Sequence, residues 1–391
     1  MVHQRLFNYN TVPKIRFGVG ALEDVAGTFL SLLGKKILII TDPGLTKLGL
    51  YVPLLDTLKT VNVCVTVFDK VEADPSLSTV LKAIAHAEEN SVTGIVGFGG
   101  GSPMDVAKLT ALISGSKENL DEAWGVDKVK GPRLPLCLIP TTSGTGSEVT
   151  PISIVTTGGE DKRGIVSPIL LPDLTVLDPS LTIGLPASIT AATGIDAMVH
   201  AIEAYSSKSF NNNHLSKIMA QEALILLTGS IQQAVEDGKN MKARSDMLMG
   251  SMMAGMAFAN SPVAAVHALA YPLGGTFHIP HGLSNALVLS EVIKFNSYSQ
   301  EAAEDYAKLA QIICPNEKRF RCNRAEALRL YEYLKSLSKS LGLPVRLRDV
   351  DVPKSALAKL ASDAMKQTRL LINNPRLLNE SDALTIYQKI W

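Results

Sequence analysis

The stretch Ile95-Val96-Gly97-Phe98-Gly99-Gly100-Gly101-Ser102-Pro103-Met104-Asp105 decides how the first half of the chain folds. Its short apolar opening reads as a buried strand, and the glycines that follow let the backbone turn sharply and come close to a bulky anion. Ser102 suits a helix N-cap, Pro103 the first helical position and Asp105 the third position after the cap, so the spacing predicts a helix beginning at Pro103. A strand, a glycine turn and a helix whose amide end faces that turn suit a pyrophosphate. The stretch does not match the G-x-G-x-x-G fingerprint, and alone it equally serves as a plain strand-to-helix turn.

Working outward, Lys36-Ile37-Leu38-Ile39-Ile40-Thr41-Asp42, Val63-Cys64-Val65-Thr66-Val67-Phe68, Leu136-Cys137-Leu138-Ile139-Pro140 and the shorter Val176-Leu177 are further strand runs. Helical patterns lie between them, such as Ser78 to Glu89 and Pro103 to Ser114. Continuous apolar strands alternating with helices imply a parallel sheet covered on both faces. A second loop, Pro140-Thr141-Thr142-Ser143-Gly144-Thr145-Gly146-Ser147-Glu148, follows a buried strand with a cluster of hydroxyls and glycines. Such donors suit phosphate and ribose oxygens at the carboxyl end of a strand, although a solvated turn has the same composition. Asp42 closes the first of these strands. A carboxylate there accepts hydrogen bonds from an adenosine ribose, favouring NAD over NADP, or else makes an Asx turn before Pro43-Gly44.

The pattern changes within Asp178-Pro179-Ser180-Leu181-Thr182-Ile183-Gly184-Leu185-Pro186. Beyond it the segments 187–207, 213–236, 243–259, 262–272, 301–313, 323–341, 354–362 and 379–389 read as helix, with no convincing strand. The expected organisation is a dinucleotide-binding α/β domain over 1–185 and an all-helical metal-binding domain over 186–391. Two domains also fit a length of 391 residues. Charged residues make up 19% and hydrophobic ones 46%, which permits a large core and excludes a disordered chain. A net charge of +1 gives no overall electrostatic drive toward nucleic acid or an anionic membrane. The apolar stretch Met247 to Ala259 is too short to span a bilayer and reads as a buried helix. Cys64, Cys137, Cys314 and Cys322 form no C-x-x-C pair, so neither a zinc ribbon nor a disulfide scaffold is expected. The N-terminus lacks an apolar signal core. The expectation is a cytoplasmic protein without membrane or nucleic-acid partners.

The seven histidines are unevenly spread, and His267, His278 and His281 fall close together. Asp196 and His200, at i and i+4 in Gly194-Ile195-Asp196-Ala197-Met198-Val199-His200, share one face of a helix that is otherwise small and apolar. Burying both needs a compensating partner. Either they satisfy each other, or Asp196, His200, His267 and His281 converge on a divalent cation such as Fe²⁺ or Zn²⁺. Spacing leaves both readings open.

Taken together, Gly99 to Lys108, Pro140 to Glu148, Gly194-Ile195-Asp196-Ala197-Met198-Val199-His200-Ala201-Ile202-Glu203 and His267-Ala268-Leu269-Ala270-Tyr271-Pro272-Leu273-Gly274 followed by Pro280-His281-Gly282 resemble the iron-containing (group III) alcohol dehydrogenase family. The resemblance implies a dehydroquinate-synthase-like fold, with a Rossmann-like parallel-sheet domain followed by a helical domain. It implies metal ligands at Asp196, His200, His267 and His281. It implies NAD, with NADP as the alternative, on Gly99, Gly100, Gly101, Ser102, Thr141, Thr142 and Thr145, with Asp42 at the ribose and Asp105 and Lys162 on the cofactor side. Many members carry a second histidine four residues after the third ligand, proposed to relay protons. Here that position is Tyr271, with His278 nearby as a substitute. Thr150, Ile152 and Phe258 are candidate walls of a substrate pocket, or ordinary core. The implied activity is hydride transfer between a nicotinamide and a small alcohol or aldehyde at Fe²⁺, in a homo-oligomer that is a dimer or larger. Hydroxyacid–oxoacid transhydrogenase-like or hydroxybutyrate dehydrogenase activity is an alternative, and a dehydroquinate-synthase-like lyase is a more distant one.

Overall fold

The computed structural model describes residues 6–158, 161–314 and 319–391. Two compact units are present, Asn10–Gly184 and Leu185–Trp391, the latter joined by the described residues up to Tyr9. The N-terminal residues thus depart from the expected 1–185 span. The Asn8 amide donates to Asn211 Oδ1 and the Asn211 side chain donates back to the Asn8 carbonyl, which ties this segment to the helical unit.

The first unit runs β1 (Ile15–Phe17), α1 (Ala26–Leu33), β2 (Lys36–Ile40), α2 (Pro43–Leu48), α3 (Val52–Lys59), β3 (Cys64–Phe68), α4 (Leu77–Glu89), β4 (Gly94–Gly99), α5 (Gly101–Ser116), β5 (Gly125–Val126), β6 (Leu136–Pro140), β7 (Ile152–Thr157), β8 (Asp161–Val166) and β9 (Leu174–Leu177). Six strands form one sheet in the order β1-β9-β6-β4-β2-β3, every pair parallel. Successive residues of β2 go to opposite faces. Ile37 and Ile39 pack with Phe29, Val96 and Phe98, while Leu38 and Ile40 pack with Ile95, Ala107 and Leu138. Each such fully buried side chain contributes about 1.5–3 kcal/mol, which is why these strands read as unbroken apolar runs.

Two features were not expected from the sequence. A smaller sheet joins β5, β8 and β7, with β7 and β8 antiparallel. Its alternation is hard to see because the inward side of β7 carries Ser153 beside Val155, and Ser153 donates its hydroxyl to the Asp105 carbonyl. Helix α5 also starts at Gly101, with Gly100 as its N-cap, rather than at Pro103 with Ser102 as the cap. The expected capping box does not form because the Asp105 carboxylate bonds to Ser147 and Ile154 instead.

The second unit is helical, and among the described residues beyond Leu177 no strand occurs. It comprises α6 (Ala187–Ser206), α7 (His214–Glu236), α8 (Met241–Asn260), α9 (Ala265–Phe277), α10 (His281–Asn296), α11 (Gln300–Ile313), α12 (Asn323–Ser340), α13 (Leu357–Met365), α14 (Thr368–Leu371) and α15 (Glu380–Lys389). Helix α9 continues through Pro272, and α10 follows it after a short turn. The sequence reading passed over α10, whose residues are mostly buried around its girth, so no amphipathic stripe marks it. The apolar stretch from Met247 lies in α8, where Met247, Leu248, Met252, Ala254 and Ala257 are buried. Among the described residues no single helix is long and apolar enough to cross a membrane.

Candidate dinucleotide and metal sites

Strands β2, β4 and β6 are neighbours in register, with Ile40 opposite Gly97 and Gly99 opposite Pro140. Their carboxyl ends therefore bring Asp42, Gly99 to Ser102 and Thr141 to Thr145 to one edge of the sheet. The strand order reverses direction at β2 and β4, the position where ligands bind in open α/β sheets. The two loops are knitted together, since the Thr141 amide donates to the Gly99 carbonyl at 2.9 Å. Gly99 has φ +150°, and a Cβ there would meet Pro103 Cγ at 2.7 Å, so no other residue fits without displacing the helix start. Side chains of Thr142 and Thr145 lie over Gly100 and Gly101, placing hydroxyls beside the exposed amides of the α5 N-terminus. Asp42 is the N-cap of α2, with Oδ1 accepting the Leu45 amide at 3.0 Å.

A buried charged network supports these loops from within. Lys108 is fully buried, and its Nζ donates to Ser147 Oγ at 2.8 Å, the Ile152 carbonyl at 2.6 Å and Thr150 Oγ1 at 3.3 Å. Asp105 stands 3.7 Å from Nζ and accepts the Ser147 hydroxyl at 2.7 Å and the Ile154 amide at 2.9 Å. Burial pulls the Lys108 ammonium down to about 8, against the opposing pull of Asp105 and Glu148. Burial likewise pushes the Glu148 carboxyl up to about 7. Thr150 and Ile152 take part in this network: the Thr150 hydroxyl accepts from Lys108 and donates to the Ser147 carbonyl, and Ile152 supplies its backbone carbonyl. Lys162, on β8, pairs with Asp74 at 2.5 Å. The sequence reading missed Lys108 and Ser147 as structural partners, although a lysine inside the apolar turn Val106-Ala107-Lys108-Leu109 was a usable signal.

In the helical unit, α6 supplies Asp196 and His200, α9 supplies His267 and α10 supplies His281. One potential ligand atom from each lies within 4.8 Å of the others. Helix α10 can come this close to α6 because it opens on His281-Gly282. A Cβ at Gly282 would lie 2.5 Å from the Ala192 carbonyl oxygen. Asp196, His200 and His267 are buried and His281 is partly so. Phe258 stacks on His200 at 4.4 Å, and His200 stacks on His267 at 4.9 Å, so Phe258 does line this cluster. Tyr271 also touches it, 6.4 Å from the His267 ring and 5.9 Å from that of His281. His278 differs: it is the exposed C-cap of α9, with φ +55° and its amide donating to the Gly274 carbonyl.

Two partners that sequence reasoning missed complete the cluster. Glu203 accepts the Ala264 and Val266 amides at 3.0 and 2.6 Å, and its Oε2 lies 2.7 Å from His267 Nδ1. Three donors meet on one carboxylate, which fixes the ring so that Nε2 carries the free lone pair. Burial pushes the Glu203 carboxyl up to about 7, with the two amides working against it. Burial, then the neighbouring His200 and His281, holds His267 well below the usual histidine range and so neutral. Burial alone would raise Asp196, but the His200, His281 and His267 rings outweigh it and keep the group below its ordinary value. Asn285, the second partner, bonds to Asp196 Oδ1 at 2.6 Å. One carboxylate, three imidazoles and an outer carboxylate behind His267 make a donor set that fits a divalent cation such as Fe²⁺.

Residues 13–179 match the family described as iron-containing alcohol dehydrogenase, and residues 190–391 match the C-terminal part of the Fe-containing alcohol dehydrogenase family. The chain belongs to the iron-containing alcohol dehydrogenase family. Among its relatives, long-chain-alcohol dehydrogenase 1 of Geobacillus thermodenitrificans is 40% identical over 380 residues, covering 96% of this chain and 94% of the relative. The crystal structure of a 1,3-propanediol oxidoreductase superposes with a TM-score of 0.93 at 35% identity, covering 99% of this chain and all of the other. A sulfoacetaldehyde reductase from Bifidobacterium kashiwanohense, solved in complex with NAD⁺, superposes with a TM-score of 0.86 at 28% identity over 98% of each chain. As an iron-containing alcohol dehydrogenase, the chain is an oxidoreductase of the alcohol–aldehyde couple.

Proposed function

We propose that this chain reduces a small aldehyde with NADH, and oxidises the corresponding alcohol with NAD, using Fe²⁺ held by Asp196, His200, His267 and His281. The observation that carries the reading is the convergence of those four donors from three helices within 4.8 Å. When bound, the cation supplies Lewis-acid charge that eases loss of the alcohol proton. The nicotinamide, when bound, exchanges hydride with the carbinol carbon.

The chain's own residues bind and orient. Gly99 to Ser102 offer backbone amides to the pyrophosphate, and Thr141, Thr142 and Thr145 add hydroxyl donors. Lys108, with Asp105 and Ser147, holds the two loops together from inside. Asp42 meets the adenosine ribose and disfavours a 2′-phosphate, and Lys162 adds positive charge on the cofactor side. Glu203 fixes the His267 ring, and Phe258 walls the cluster beside His200. Tyr271 holds or passes a proton in this reading; what supports it over His278 is that its ring lies against those of His267 and His281.

The test is NADH consumption, followed by its ultraviolet absorbance, with a panel of short aldehydes, a sulfonated aldehyde and the oxidised form of 4-hydroxybutyrate, with NADPH in parallel. Turnover with simple aldehydes that depends on added Fe²⁺ and prefers NADH is expected. Binding of NADH and metal without net oxidation of the nicotinamide on any substrate would contradict the proposal.

A further inference from the structure

Asn285 lies one turn past His281 on α10 and is fully buried. Its Nδ2 donates to Asp196 Oδ1 at 2.6 Å and stands 3.3 Å from His267 Nε2 and 3.2 Å from His281 Nε2. Its Oδ1 is buried without a hydrogen-bond partner. The direction of the amide follows from its neighbours. Glu203 takes the Nδ1 side of His267 and leaves Nε2 as an acceptor, while Asp196 Oδ1 only accepts. With the amide reversed, its oxygen would face an anionic oxygen and a ring lone pair. The amide therefore turns its donors to the cluster even though this orphans its own oxygen. A leucine has the same branched outline and no polar atom of its own to leave unsatisfied, so packing alone does not account for an asparagine here.

The two kinds of contact differ in what they permit. A neutral imidazole nitrogen has one in-plane lone pair, so an N–H and a cation on the same Nε2 exclude each other. A carboxylate oxygen has more than one, so the bond from Asn285 to Asp196 persists beside a cation. We propose that Asn285 is a positioning residue of the metal site: its amide fixes the orientation of the Asp196 carboxylate, and it releases the two ring nitrogens when a cation takes them. This inference rests on the four-ligand reading above.

The full-length chain, stripped with a chelator and reloaded with Co²⁺, provides the test, because the visible bands of Co²⁺ report the geometry around it. Asn285→Leu keeps the branched outline and removes the donors, while Asn285→Ala removes both. Both variants are expected to bind Co²⁺ about 10–100-fold more weakly than the parent chain and to shift its visible bands. Co²⁺ affinity and spectrum unchanged in Asn285→Leu would overturn the inference, reducing Asn285 to a space-filler. His267→Ala separates the two layers of the argument. If it binds Co²⁺ as tightly as the parent chain, the four-ligand reading itself fails. If it loses Co²⁺ while Asn285→Leu keeps it, the role of Asn285 alone fails.

Discussion

The glycine and threonine loops of the sheet unit and the histidine cluster of the helical unit solve one problem in opposite ways. At the strand ends the binding groups are backbone amides and small hydroxyls, and the charged residues sit behind them: Lys108 and Asp105 clamp the loops from inside. In the helical unit the charged and aromatic side chains are themselves the binding groups, with Glu203 and Asn285 standing behind them to set their direction. A diffuse anion such as pyrophosphate is held by many weak donors whose positions a loop can fix. A small cation needs a few strong donors at set distances, which rigid helices fix better.

The contrast predicts where each half breaks. The largest effect is expected on the sheet side, at Lys108→Met. That change keeps the bulk of the side chain but leaves Asp105 without its buried cation, and losing one partner of such a pair costs about 3–5 kcal/mol. Thermal unfolding should shift strongly downward and the KM for NADH should rise, with metal binding little changed. An unaltered unfolding curve would show that the network does not hold the loops. Next comes Glu203→Ala, which frees the His267 ring to turn and should weaken metal binding about 10–100-fold in a chelator competition, while NADH affinity stays the same. Equal losses of metal and NADH would mean that Glu203 acts on folding as a whole. The smallest effect is expected at Asp42→Gly. Glycine is a tolerable N-cap, costing only a few tenths of a kcal/mol. Folding should therefore persist while the ratio of NADP to NAD use rises, and a constant ratio would remove Asp42 from the ribose.

The same contrast explains what could be read from the sequence. The strands β2, β4 and β6 were legible because burial on both faces writes itself as an apolar run, the edge strand β3 because of its β-branched residues, and the loops because glycines and threonines crowd after two of those runs. The sheet of β5, β7 and β8 was not, since Ser153 occupies an inward position and no run betrays it. Helix α10 hid because it is buried around most of its girth. The i, i+4 pair Asp196 and His200 was visible as a pair, but spacing says nothing about which distant histidines join it. The approach of α9 and α10 to α6 is a tertiary fact, and the likeness to a known family supplied what the spacing could not. Glu203 and Asn285 lie three and four residues beyond His200 and His281, so each becomes readable only once those ligands are known. The helix start moved from Pro103 to Gly101 for a related reason: Asp105, which suits a capping box locally, has stronger partners in Ser147, Ile154 and Lys108.

The central claim is that Asp196, His200, His267 and His281 hold the metal on which NADH-linked turnover depends. Elemental analysis of the purified chain beside its His267→Ala variant tests it most directly. The parent chain should carry a single divalent ion, predominantly iron, and the variant should carry almost none. Parent-level metal content in the His267→Ala variant would contradict the account.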